Sequence, residues 1–227
     1  MTNDEMNLSK IHFYQKTRFP GVIGCIDGTH VRIIAPKKNL QHLYLNRKGY
    51  YSLNVMIVCD YKMNVRFVDS RYSGANHDSF VYNLSEYKEM LNELDENTFI
   101  LGDAGYPLEK HLMTPFRLAE SGSAESRFNT IHAQTRNIIE RTIGVIKSKF
   151  RCLLSARGLH YSPERAAKFV NASCALHNIS QHFKVVYVGE IQNDDAIDSN
   201  DHDVNDFVHG VTESRAREIR NNIMNSF

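Results

Sequence analysis

Two apolar runs separated by a short polar turn constrain this chain more than any other feature. Tyr50–Asp60 (YYSLNVMIVCD) begins in partial alternation and ends as a continuous apolar run. Tyr61-Lys62-Met63-Asn64 reads as the turn, and Val65–Ser70 (VRFVDS) returns in alternation. The pattern predicts an antiparallel hairpin. Val22–Ile26 predicts a buried strand ending at Asp27, with Val31–Ala35 as its continuation after Gly28-Thr29-His30. Phe99–Leu101 is a further short strand, closed by Gly102-Asp103-Ala104-Gly105-Tyr106-Pro107. Its glycines permit a tight bend and the close approach of a ligand, and Pro107 stops the strand. Asp103 is thereby offered at a strand end, where open α/β sheets place their chemistry. A solvated turn aspartate is the plainer alternative.

Helical periodicity fills the gaps between strands. Asp78–Leu94 places Val81, Leu84, Tyr87, Met90, Leu91 and Leu94 on one face, with Asn76 or Asp78 as its cap. Leu108–Leu112 suggests a helical turn, stopped by Thr114-Pro115-Phe116, and residues 119–132 a polar loop. Gln134–Phe150 is the strongest helix, apolar through Ile138, Ile139, Thr142, Ile143, Val145 and Ile146 and basic elsewhere. Pro163–Phe183 is another, with Ala166, Ala167, Phe169, Val170, Ala172, Ala175, Leu176 and Ile179 turned inward. A hairpin followed by alternating β and α elements predicts an α/β fold, a mixed sheet covered by helices.

Composition narrows the classes. The net charge of +1 carries no global signature of nucleic-acid binding, though a local cluster would suffice. Cys25, Cys59, Cys152 and Cys174 are widely spaced in apolar contexts, so they read as buried free thiols in a reducing compartment, not a disulfide frame or zinc site. The N-terminus has no secretory pattern, and no apolar run is long enough for a membrane helix. The expected organisation is a polar segment over 1–18, a catalytic domain over 19–185, and a tail over 186–227. Glu190–Asp206 holds seven acids without Lys or Arg and reads as solvated and disordered, and residues 213–227 form a short basic helix.

Asp27 and Asp103 each follow a buried strand, Asp78 opens a helix, and Glu140 lies in the basic helix. Two strand-end carboxylates and a helical one suit a hard divalent cation such as Mg²⁺ or Mn²⁺. Two such ions hold both the attacking and the leaving oxygen of a phosphodiester, and they relieve the repulsion among clustered carboxylates. Spacing alone is weak in a chain with 26 acids, so the local contexts carry the weight. Arg136 precedes Glu140 by four residues and Lys147 follows it by seven, which places all three on one helical face. Cations flanking a metal-binding carboxylate can grip DNA phosphates. A surface helix laced with ion pairs would show the same spacing. Arg47 and Lys48, with Tyr50 and Tyr51, form a second candidate DNA contact, against a solvated loop. His30 and His77 lie near the acids, but a structural hydrogen-bonding role is at least as well founded for both. His132 has no role that spacing reveals.

The segments FPGVIGCIDGTHVRI, NRKGYYSLNVMIVCD, SGANHDSFVY, LGDAGYP, MTPF and RNIIERTIGVIKSKFR occur in that order over about residues 19–179. Together they resemble the Harbinger transposase-derived nucleases, within the PIF/Harbinger DDE transposases. The resemblance implies a ribonuclease H-like fold with a mixed five-stranded sheet flanked by helices. It puts the catalytic triad on Asp27, Asp103 and Glu140 and marks Asp78 as a further metal-binding acid. The helical segment is also similar to a Tyr-x2-Arg-x3-Glu-x6-Lys signature of bacterial insertion-sequence transposases, except that Ala133 stands at the tyrosine position.

The expected function is a divalent-metal-dependent DDE endonuclease, element-encoded or domesticated, acting on DNA. A catalytically silent DNA- or protein-binding module is the main alternative. A small-molecule phosphoesterase would use the same metal chemistry, but the basic helix and the resemblance disfavour it. Members of the family usually carry a helical DNA-recognising segment before the first catalytic acid. Little sequence stands there, so weak sequence-specific binding is expected, helped by a separate Myb-like or trihelix DNA-binding protein that the family uses for recognition and nuclear import. Nuclear and cytoplasmic localisation follows from that association, and self-association stays open.

Overall fold

A computed structural model of the chain describes residues 1–185 and 212–227. Five strands form one sheet in the order β3-β2-β1-β4-β5: β1 Val22–Arg32, β2 Ser52–Cys59, β3 Val65–Ser73, β4 Phe99–Leu101 and β5 Leu112–Met113. β1, β2 and β3 are antiparallel neighbours, whereas β4 runs parallel to β1 and β5 parallel to β4. The sheet is therefore mixed, as the order of elements predicts, and the chain has the α/β, ribonuclease H-like architecture that the family resemblance implies.

Both faces of the sheet are covered. On β2, Leu53, Val55, Ile57 and Cys59 join one core cluster, while Met56 and Val58 join the other. That explains why β2 reads as a continuous apolar run: a strand buried on both faces loses the polar half of its alternation. The first face is covered by α1 (Asn3–Thr17), α5 (Ala124–Lys149), α6 (Pro163–His182) and α7 (Thr212–Met224). The second is covered by α3 (Asp78–Asn83) and α4 (Glu86–Asn92), through Val81, Tyr82, Tyr87 and Leu91. A short α2 (Gln41–Tyr44) lies between β1 and β2.

Several elements differ from the sequence reading. β1 does not stop at Asp27. It pairs with β2 without interruption from Cys25 to Arg32, so Asp27 lies within a strand. The helix expected over Asp78–Leu94 is two helices, because Ser85 is the N-cap of α4 and accepts from the Lys88 amide. The break leaves Leu84 and Met90 exposed. Leu108–Leu112 is not helical; its last residue opens β5, whose N–H and C=O groups extend the sheet beside β4. α5 begins ten residues before the expected start, at Ala124, capped by Ser123. Phe128 and His132 thereby become core residues of a helix, with the His132 ring stacked on Phe128 and Nε2 bonded to the Met113 carbonyl at 3.1 Å. Burial pushes the His132 pKa down to about 4.

α6 buries Ala166, Val170, Ser173, Cys174 and His177, while Phe169, Leu176 and Ile179 of the expected inward set are exposed. Its buried face carries polar groups that bond to β3, such as Asn178 to both backbone groups of Val65, and this displaced the apolar stripe used to orient it. Cys152 is exposed, in contrast to the three buried thiols. The N-terminal segment folds as α1, closed by a reciprocal cap between Thr2 and Glu5 and anchored through buried Phe13. The expected basic C-terminal helix is α7, seated through Ala216 and Ile223. The acidic Glu190–Asp206 stretch lies outside the described residues. Among the described residues, no helix is long and apolar enough to cross a membrane.

Candidate active site

The register of the two parallel strands brings the first two acids together. Cys25 of β1 pairs with Leu101 of β4. Both side chains point into the core cluster beneath α5. Side chains alternate with a period of two, so Asp27 stands on that same face, and Asp103, two residues past the end of β4, lies near enough for its charge to act on Asp27. β4 ends at Leu101, whereas β1 continues against β2. The sheet therefore opens beside Asp27 on the β4 side, and Asp103 follows at the mouth of the opening.

α5 supplies the third acid. Arg136 Nη1 donates to Asp27 Oδ2 at 3.1 Å, and Nη2 donates to Glu140 Oε1 at 2.6 Å. One guanidinium thus bridges the strand acid and the helical acid. Asp27 Oδ1 also accepts from the Gly28 amide at 2.9 Å, and Asp103 Oδ1 accepts from the Gly105 amide at 2.9 Å.

Asp78 comes from the other side of the sheet. It is the first residue of α3, but its carboxylate does not cap the helix; Oδ1 accepts from Asn54 Nδ2 at 2.8 Å. It reaches the site across Gly28, where a Cβ would overlap the Asp78 carboxylate. Glycine at position 28 is what permits this approach.

The acids sense one another. Burial pushes the Asp27 pKa up to about 7, with Asp103, Asp78 and Glu140 adding to the rise and Arg136 opposing it. Burial also raises Asp78 to about 6, with Asp103 adding to the rise while the Asn54 bond and Arg47 oppose it. For Arg136, burial disfavours the charge, but Asp27, Asp103 and Glu140 outweigh it and the pKa rises. The donor set is all oxygen, with Asp27, Asp103 and Glu140 drawn around the Arg136 guanidinium and Asp78 beside them. That chemistry fits a hard divalent cation. Among the described residues, no three acid, histidine or cysteine side chains already stand at the mutual spacing of a metal cage, and Arg136 lies between Asp27 and Glu140.

Residues 26–178 match the family described as DDE superfamily endonuclease. The chain belongs to this family. It is 39% identical over 174 residues to the bovine protein named "Putative nuclease HARBI1", covering 75% of this chain and 49% of that one. The human protein of the same name is 38% identical over the same shares. Protein ALP1-like of Arabidopsis thaliana is 25% identical over 213 residues, 86% of this chain and 50% of that one. The chain spans about half the length of the curated relatives it matches. The relatives support the Harbinger transposase-derived assignment. No solved structure gives a significant match.

The remaining predicted residues of this DDE chain divide by position. Arg47 and Lys48 are exposed in the loop before β2. Buried Asn46 shapes that loop, accepting from the amides of Lys48 and Tyr50 and donating to Ser52 Oγ. The Arg47 guanidinium lies 2.8 Å from His77 Nδ1, next to Asp78, which puts this loop at the rim of the site. His30 Nδ1 is bonded to Ser52 Oγ at 3.0 Å, a structural role. Lys147 is a correction. It is only 4% exposed and lies in an apolar recess with Val31, Ile57, Ile146 and Val170, so it is not presented to a DNA phosphate. Gly102 serves packing, with Ile26, Leu112 and the Tyr106 ring closing over it. Sequence reasoning passed over Asn54 and Gly28. The signal for Asn54 was available: it is the one amide in the apolar run of β2.

Proposed function

We propose that this chain is a divalent-metal-dependent endonuclease that hydrolyses DNA phosphodiester bonds. The observation that carries the reading is the convergence of Asp27, within β1, and Asp103, two residues past the end of the parallel strand β4, with Glu140 bridged to Asp27 through Arg136. Asp27, Asp78, Asp103 and Glu140 would hold Mg²⁺ or Mn²⁺. A divalent cation bound there supplies Lewis acidity toward the phosphodiester and a lowered pKa for water. Asn54 and Gly28 fix Asp78 toward the centre. Arg136 donates to both Asp27 and Glu140 in the metal-free protein and orients the two carboxylates. Arg47 and Lys48 attract the DNA backbone to the rim. Site selection and nuclear entry would come from a Myb-like or trihelix DNA-binding partner, with the chain distributed between nucleus and cytoplasm.

The Arg136 bridge also favours a second reading, a DNA- or protein-binding module without cleavage, because the chain itself already neutralises two of its acids. A nicking assay on supercoiled DNA with Mg²⁺ or Mn²⁺ separates the two. The wild type nicks, and Asp103→Asn reduces the rate at least about 100-fold, the scale of losing a group that stabilises charge in a transition state. Equal cleavage by both proteins removes the DDE mechanism. Metal binding without cleavage of any DNA selects the binding module.

A further inference from the structure

Tyr106 follows Asp103 by three residues, and the turn between them is closed by a bond from the Tyr106 amide to the Asp103 carbonyl. Its ring is 3% exposed, lies over Gly102 and meets Tyr82 edge-on at 6.1 Å. Its hydroxyl is fully buried and has no hydrogen-bond partner among the described residues. Other tyrosine hydroxyls in the fold are provided for: Tyr82 donates to Glu109 Oε2 at 2.9 Å and Tyr72 to the Leu84 carbonyl at 3.2 Å. A buried, unpaired hydroxyl destabilises a protein relative to phenylalanine, which would fill the same ring space.

The surroundings say what the hydroxyl is for. The charges it feels most are those of Asp78, then Asp27 and Asp103, from three separate elements. A phenol is a donor at neutral pH, and Tyr82, whose ring meets Tyr106, lies on α3 four residues after Asp78, so the same helix carries both toward Tyr106. Asn54 donates to Oδ1 of Asp78. Resting on the nuclease reading, we infer that Tyr106 is a positioning residue whose O–H donates to the Asp78 carboxylate when the site binds a divalent cation. Asn54 and Tyr106 then hold Asp78 from two directions. Removing such a support from a metal ligand typically weakens metal binding by about 10–100-fold.

The test compares wild type, Tyr106→Phe and Asp103→Asn. Mn²⁺ affinity is measured by isothermal titration calorimetry, and the melting temperature is measured on the metal-free proteins. Tyr106→Phe is expected to melt at or above the wild-type temperature without metal, yet to bind Mn²⁺ about 10-fold more weakly. Unchanged Mn²⁺ affinity in Tyr106→Phe, with Asp103→Asn weakened, overturns this inference and leaves the nuclease reading standing. A marked fall in the metal-free melting temperature of Tyr106→Phe also overturns it, since the hydroxyl would then have a structural partner. A wild type that binds no Mn²⁺ overturns the nuclease reading and this inference with it.

Discussion

Asp60 and Asp27 look alike in the sequence, each an acid at the end of an apolar run, Val58-Cys59-Asp60 and Cys25-Ile26-Asp27. Their surroundings are opposite. Asp60 is fully buried and surrounded by donors: the amides of Lys62 and Asn64, the Asn64 side chain, and two guanidinium N–H groups of Arg66. Asp27 is 17% exposed, accepts from Gly28 and Arg136, and otherwise faces Asp103, Asp78 and Glu140. The first carboxylate ties a turn between two strands. The second is crowded by its own kind at the point where the sheet opens. What separates the turn acid from the clustered one here is the ratio of donors to acids around it. Burial alone does not separate them.

The comparison is broken most forcefully at Asp60. Asp60→Ala leaves Arg66 with Glu5 alone and leaves the turn amides of Lys62 and Asn64 unpaired, so it is expected to destabilise the protein by about 3–5 kcal/mol, read from urea unfolding. Asp78→Asn should behave oppositely. The raised values of Asp27 (about 7) and Asp78 (about 6) mean that the folded protein binds protons which the unfolded chain, with ordinary carboxylates, has already released above about pH 4. Stability of the metal-free protein must then fall as pH rises from about 4 through about 7. Both side chains reach solvent in part, so the fall is smaller than the full shifts imply, about 2–3 kcal/mol. Asp78→Asn should flatten that slope, as measured by urea unfolding at pH 5 and pH 8. A metal-free protein that gains stability over this range would place the site acids in the class of Asp60.

The same pair marks how far the sequence carried. The hairpin and the α/β architecture were legible because apolar runs and turn residues act locally; Asp27, Asp78, Asp103 and Glu140 were singled out by their motif contexts, and the fold brings them near one another. The continuity of β1 through Asp27 was not legible. An acid flanked by glycine reads as a strand end unless the neighbouring strand β2 is known to continue beside it. Lys147 shares a helical face with Glu140, but a face seven residues long passes from the opening into the core, and periodicity does not report depth. The seat for Asp78 depended on Gly28 and Asn54, which are far from it in sequence and meet it only after the sheet forms.

The smallest expected effects lie at the rim. Arg47 and Lys48 are exposed on a loop that Asn46 closes through the amides of Lys48 and Tyr50. Arg47→Ala and Lys48→Ala should therefore change folding stability by less than about 0.5 kcal/mol, as surface substitutions do. Their effect belongs to binding. Each cation that neutralises one phosphate releases about one counterion, so removing it should reduce the slope of log affinity against log salt by about 1. Fluorescence anisotropy with duplex DNA across a salt series measures this directly. The loss should be similar for unrelated sequences, because phosphate contacts position the protein without reading bases. An unchanged slope in both variants would return this loop to the solvated class. The opening between β1 and β4 would then have to draw DNA in through other cations, such as Arg136 at its centre, which is already committed to Asp27 and Glu140.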